Sequence, residues 1–371
     1  MLARSLDDRN DPLLDLLGYH EHAPLAGYQE GVSHQDLLKW FCGLEDVLRT
    51  PFGKKINWHD AGSIPGPASL SSTELTRARR LFEQVVNLPG YGRSVIEGSL
   101  LSTIALNDNP SSVPFWAGLL DLRIGRDSLS KRRKRFALAA LAFSAIVSGA
   151  EEAWIALAAA TRHSNVDVRT DATYFVGELC LRTDGPVTSE GSVVLAERAR
   201  SDRSFGPRFL ARLLLRELGR PIPFDKPDSV VALQVSHIYH QDVLRLIEVV
   251  QANTLDDLHF AIQDAFGWGA DHLYSFFLSN RPHDFRFTFD CDDIDSEHRG
   301  TNCVPIGDLG LKRGQRITYF FDYGDSHEFE VVVKAVKDQC EECEYPRILE
   351  SAGKAPEQYP GSDHRHENVD W

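Results

Sequence analysis

Apolar residues recur at helical spacing through the first 220 residues, and from about residue 230 the spacing shortens to every second position. The clearest helix start is Ser71 with Glu74 three residues on. This is a capping-box pair in which each side chain satisfies a free backbone N–H. Leu75, Ala78, Leu81, Phe82, Val85 and Val86 follow on one helical face. Pro114 suits the first turn of another helix, ahead of Phe115, Trp116, Leu119 and Leu120. Segments 136–147, 153–160, 168–181, 193–199 and 209–218 are each apolar on at least one face and predict consecutive antiparallel helices. Residues 51–67, rich in Gly and Pro, predict a long loop between helices.

Pro221, Pro223 and Pro227 oppose both helix and central strand, so residues 221–228 predict a linker. Beyond it, 230–239 and 243–250 predict two strands joined around His240, Gln241 and Asp242. Thr254 is placed to cap a helix whose first turn carries Asp256 and Asp257. Leu255, Leu258, Ile262 and Phe266 share its inner face, and Gly267 is a natural stop. Segments 272–278, 285–289, 317–323 and 329–336 complete the strand set. The predicted fold class is therefore multidomain. An all-α N-terminal domain (1–220), helical-repeat-like or an irregular bundle, precedes an α+β domain (229–371) with a mainly antiparallel sheet.

Charge separates the two parts. The chain of 371 residues has a net charge of -14. Residues 222–371 hold 13 Lys and Arg against 28 Asp and Glu, while 1–221 hold 27 against 26. An acidic C-terminal part argues against a broad duplex-binding surface there and leaves a basic protein partner open. The first ten residues include early acids and no signal-like apolar core, and the apolar run 136–147 is too short to span a bilayer. Six cysteines in 371 residues form no disulfide framework. A cytoplasmic protein without membrane contact is expected.

The densest chemistry lies between Tyr319 and Val333. Ile317, Tyr319, Phe321 and Tyr323 are expected on one strand face, with Thr318, Phe320 and Asp322 on the other. Gly324 is expected to supply the positive φ of a tight corner, and Asp325 to bond its amides. Asp322, Asp325 and His327 are the candidate catalytic set, since carboxylates and an imidazole on one corner can converge for acid/base or metal chemistry. Turn bonding by the two aspartates, with His327 as a surface residue, explains the same pattern. Trp268, His272, Tyr274 and Tyr323 are candidate ligand or partner contacts; the first three with Phe276 could line a groove, although the alternation of those four fits core packing equally well. Cys340 and Cys343 have zinc-knuckle spacing, and Cys291 and Cys303 could complete a four-thiolate set. Otherwise no cofactor is expected. The run Asp290, Cys291, Asp292, Asp293, Ile294, Asp295 lacks the Gly and Glu of a calcium loop and is expected to be a solvated acidic loop. His364 and His366 sit in a polar terminus. Lys131, Arg132, Arg133, Lys134 and Arg135 form the concentrated basic run that could meet nucleic acid or an acidic surface.

Several short motifs in order carry a family resemblance. They are Thr254-Leu-Asp-Asp-Leu-His259, Ile262-Gln-Asp-Ala-Phe-Gly-Trp268, Asp271-His-Leu-Tyr-Ser-Phe276, Phe321-Asp-Tyr-Gly-Asp325, Tyr345-Pro346 and Gly353-Lys-Ala-Pro-Glu-Gln-Tyr-Pro360. Over roughly 228–365 the chain resembles the plasmid pRiA4b ORF-3-like family, which implies that family's α+β fold. It departs at Ser326 and His327, where many relatives carry an aromatic. It departs again at Ala355-Pro-Glu-Gln-Tyr-Pro360, where many have a Cys-Pro-Pro-Glu-Asp-like tail. In the N-terminal part, Asn165-Val-Asp-Val-Arg-Thr-Asp-Ala172 resembles the turn and second-helix start of HEAT-type repeats.

No P-loop, dinucleotide fingerprint, Gly-x-Ser-x-Gly elbow or His-Glu-x-x-His motif occurs. The favoured expectation is an interaction protein without catalytic machinery, most naturally for a protein partner. The alternatives are a metal-dependent hydrolase or nuclease-like enzyme built on Asp322, Asp325 and His327, and a nucleic-acid-associated accessory protein docking through residues 131–135.

Overall fold

The computed structural model describes residues 33–49, 70–86, 93–107, 110–121, 128–147, 149–223, 229–278, 285–294 and 299–359. The expected loop at 51–67 and the terminal histidines His364 and His366 lie outside these. The chain divides into two compact units, Met1–Leu195 and Ala196–Trp371.

The described part of the first unit is helical: α1 (His34–Leu48), α2 (Ser72–Val86), α3 (Arg93–Leu106), α4 (Val113–Asp121), α5 (Ser128–Val147), α6 (Glu151–Ala160), α7 (Val166–Arg182) and the start of α8 (Pro186–Ser201). The predicted capping box closes, with the Ser71 N–H donating to Glu74 at 2.8 Å and the Glu74 N–H to Ser71 Oγ at 3.4 Å. Leu75, Ala78, Leu81, Phe82 and Val85 then turn inward. Asn165, not Asp167, caps α7, its Oδ1 accepting from the amides of Asp167 and Val168. Every residue from Phe136 to Ala142 is buried. A helix apolar on all sides needs neighbours all round, and α5 packs against α4, α6 and α7. Gly191 permits close helix contact, because a Cβ there would stand 2.1 Å from Cys180 Sγ.

The second unit begins inside α8 and includes α9 (Phe205–Glu217). After it come β1 (Val230–His237), β2 (His240–Val250), α10 (Leu255–Phe266), β3 (Tyr274–Phe277), β4 (Thr288–Asp290), β5 (Arg299–Gly300), β6 (Arg316–Phe321), β7 (His327–Lys337) and β8 (Arg347–Ala352). The strands form one sheet in the order β5-β4-β3-β6-β7-β1-β2-β8. All neighbours are antiparallel except the short β4–β5 pair. The predicted helical N-terminal region and mainly antiparallel α+β C-terminal part are therefore both present.

Alternation places Leu233, Val235, Ile247, Val249, Phe276, Phe289, Tyr319, Phe321, Phe329, Val331 and Val333 inside, all at most 1% exposed. Helix α10 covers part of this face. Its N-cap Thr254 and Asp257 form the capping box, and Gly267 ends it in the left-handed region at φ 69°. The Phe266 ring meets Phe329 at 5.0 Å. Helix α9 covers the far end, with Phe209 against Phe287 at 5.6 Å and Phe289 at 6.0 Å. Arg212 fixes α9 there, its guanidinium donating to the carbonyls of Gly307, Asp308 and Pro223.

Candidate functional site

The β6–β7 corner does not have the geometry expected from its sequence. The positive φ values fall on Asp322 (56°) and Ser326 (58°), not on Gly324. Asp tolerates this region because its short polar side chain can bond locally. Asp322 Oδ1 does so, accepting the amides of Gly324 at 2.8 Å and Asp325 at 3.2 Å. Gly324 leaves room beside that oxygen, since a Cβ there would lie 3.1 Å from it, closer than an ordinary contact. The other carboxylate oxygen faces His272 Nε2 at 3.6 Å. Tyr323 is not on the Ile317 face: its ring packs on Phe320 at 4.9 Å and its hydroxyl meets Ser275 Oγ at 2.6 Å. The tight corner rotates it across the sheet.

His327 is 9% exposed and not a surface residue. Its Nε2 donates to the Gln358 carbonyl at 2.9 Å, and its ring lies 4.6 Å from Trp268. Trp268 Nε1 donates to the Pro356 carbonyl at 2.9 Å. Gln358 exchanges hydrogen bonds with Gly269, from its Nε2 to the Gly269 carbonyl and from the Gly269 N–H to its Oε1. Residues 356–358 thus strap the loop after α10, and His327 and Trp268 serve as anchors for that strap. Asp325 opens with His327 onto one cleft, while Asp322 turns to His272, which lines another.

The cleft that contains His272 has a volume of about 410 Å³. Asp256, His259 and Phe260 of α10 form one wall, Asp271, His272 and Tyr274 a second, and Cys291, Asp292 and Asp293 the third. Its floor is a polar network. The rings of His259 and Tyr274 stack at 3.7 Å and 3°. The Tyr274 hydroxyl bonds Asp256 and Thr301, and His259 Nδ1 and Gln263 Nε2 both meet the Tyr319 hydroxyl, at 2.7 and 2.6 Å. Burial lowers the His259 pKa to about 3, so the ring is neutral at pH 7. Burial, reinforced by Asp256, pushes the Tyr274 phenol up. The rim carries half-exposed Phe260 and Leu273 beside four carboxylates.

Of the four residues expected to contact a ligand, His272 and Tyr274 line this cleft, whereas Trp268 and Tyr323 do not. His259 and Asp271 stand in the sequence only as members of family motifs, not as site candidates. The available signal was weak: His259 sits one residue before exposed Phe260, on the buried edge of an amphipathic helix.

The other candidates separate. Cys291 is buried, Cys303, Cys340 and Cys343 are exposed, and all are free thiols. Among the described residues no group of three or more His, Cys, Asp or Glu is placed to hold a metal ion. Asp290 is not a solvated loop residue: it is 5% exposed and accepts from Ser275 Oγ. In the basic run the side chains described are those of Arg133, Lys134 and Arg135. Arg133 pairs with buried Glu97, and Lys134, 4% exposed, donates to the Leu120 carbonyl. Those two charges are held inward. Among the described residues no helix is long and apolar enough to cross a membrane.

Residues 230–369 match the family model described as Plasmid pRiA4b ORF-3-like protein. No curated protein matches the chain. Among solved structures, the crystal structure of a protein of unknown function, MM3350 from Methanosarcina mazei Go1, is 23% identical. The match covers 33% of this chain and 69% of that one, with a TM-score of 0.29.

Proposed function

We propose, from the surface of the part that matches the Plasmid pRiA4b ORF-3-like protein family model, residues 230–369, that the chain is a cytoplasmic, non-enzymatic recognition protein. Its ligand is a basic, partly apolar segment of a protein partner, taken in the cleft between α10 and residues 270–274. The observation that carries this reading is the pairing of half-exposed Phe260 and Leu273 with Asp256, Asp271, Asp292 and Asp293 around one opening. Carboxylates around an apolar contact favour Lys and Arg side chains, which bring charged heads on apolar stems. The use of Asp322 on turn amides and of His327 on the strap supports binding over acid/base catalysis.

An array of Lys- and Arg-rich peptides with interspersed leucines tests it, read by titration calorimetry on the full chain. Binding that weakens with salt and with Asp271→Asn and Asp292→Asn is expected. Turnover of a phosphoester panel that Asp325→Asn abolishes without unfolding the protein would overturn it.

A further inference from the structure

The β1–β2 hairpin tip, the β6–β7 corner and residues 356–357 enclose a second cleft, of about 470 Å³, which shares no lining residue with the first. Three imidazoles line it. The His237 ring centroid lies 5.2 Å from that of His240 and 5.8 Å from that of His327.

The backbone fixes the proton positions on two of these rings. The Tyr239 N–H donates to His237 Nδ1 at 3.2 Å. The His237 lone pair is therefore engaged at Nδ1, and the neutral ring carries its proton on Nε2. His327 is the reverse. Its Nε2 donates to the Gln358 carbonyl, so in the neutral ring the lone pair is on Nδ1. The cleft thus has a donor in His237 Nε2–H and an acceptor in His327 Nδ1.

Two further features restrict the ligand. Tyr239, at the hairpin tip, is 77% exposed, so its ring is open for stacking beside the cleft. Asp325 and Glu357 also line the cleft, and their charges oppose a phosphate. We propose that this cleft binds a neutral planar heterocycle with a donor and an acceptor on one edge, of the kind a free nucleobase or nucleoside presents, stacked on Tyr239. A volume of about 470 Å³ lies within the ordinary range for small-molecule sites. The inference is independent of the peptide-binding reading, because it uses other residues.

The test is calorimetric titration of the full chain at pH 7.5 with the common nucleobases, their nucleosides and the matching 5′-monophosphates. At least one base or nucleoside should bind saturably, with its monophosphate about tenfold weaker or more. Tyr239→Ala replaces an exposed side chain and should leave the circular dichroism spectrum and melting unchanged while weakening binding by about fivefold to a hundredfold. The double change Asp325→Asn with Glu357→Gln should narrow the gap between nucleoside and monophosphate. The proposal is overturned if no base or nucleoside binds, if monophosphates bind as well as nucleosides to the unaltered protein, or if Tyr239→Ala leaves affinity unchanged.

Discussion

Replacing Asp322 separates a structural corner from a catalytic one. Asp322→Ala removes an ionised acceptor of two turn amides, at 2.8 and 3.2 Å, from a side chain that is 7% exposed. Hydrogen bonds to a charged group contribute about 1.5–3 kcal/mol, and one oxygen shared by two donors is taken as about 2 kcal/mol. Alanine must also hold φ 56°, at a further cost of about 1 kcal/mol. The expected loss is about 3 kcal/mol. Asp322→Asn keeps an acceptor oxygen and tolerates the left-handed region, so its loss should stay below about 1 kcal/mol. With two compact units, a single global unfolding energy is poorly defined. Amide hydrogen exchange in β6 and β7 reads the change locally. A loss of 3 kcal/mol accelerates exchange there by about 150-fold. Equal damage from Asn and Ala, or less than about twofold acceleration with Ala, would show that the carboxylate does not hold the corner.

Gly324→Ala should cost about 1 kcal/mol in the same assay, because the added Cβ displaces Asp322 Oδ1 from 3.1 Å. Glu248 is fully buried and accepts from Lys337 at 2.5 Å and from Arg347 at 2.9 and 2.6 Å. Glu248→Gln should cost about 1–3 kcal/mol and loosen β8, since its partners can return to water. Burial raises the Glu248 carboxyl, but the Lys337 and Arg347 hydrogen bonds outweigh it, leaving a net lowered pKa. That contribution is present above the ordinary carboxylate range and lost as pH falls below it. Burial, with His240 and His327 adding to it, lowers the His237 pKa to about 4, and burial lowers that of His259 to about 3. Both rings are neutral when folded, so stability is full above about pH 6.5. It should fall by about 1.4 kcal/mol per pH unit per histidine as pH drops toward the folded values. His237→Gln should flatten that slope in melts recorded from pH 7 to pH 4.5. A fragment beginning at Ala196 should remain soluble. One beginning at Ser229 lacks Phe209 and uncovers Phe287 and Phe289, so it should aggregate or exchange faster in β4.

Periodicity made the fold legible because burial acts on alternate strand positions and on one helical face. Ile317, Tyr319 and Phe321, or Leu255, Leu258, Ile262 and Phe266, could be read directly. Local chemistry was equally clear at Ser71, Glu74, Thr254 and Gly267, where the cap is a matter of a few neighbouring residues. What escaped depends on partners distant in sequence. Gln358 selects the His327 tautomer from 31 residues away, and Pro356 holds Trp268 across 88. The acidic cleft joins α10 to residues 291–293, which no local spacing connects. Within the corner itself, the sequence pattern placed the unusual φ on glycine. An aspartate that bonds its own turn carries that conformation instead, and this reverses the side of Tyr323.

Calorimetric titration of the full chain with a Lys- and Arg-rich, leucine-containing peptide, repeated at rising salt and with Asp271→Asn and Asp292→Asn, decides whether the acidic cleft is a recognition site. Saturable binding that weakens with salt and with each substitution, and is unmoved by Tyr239→Ala, is the expected result. Affinity insensitive to both aspartates, or no binding at low salt, contradicts it.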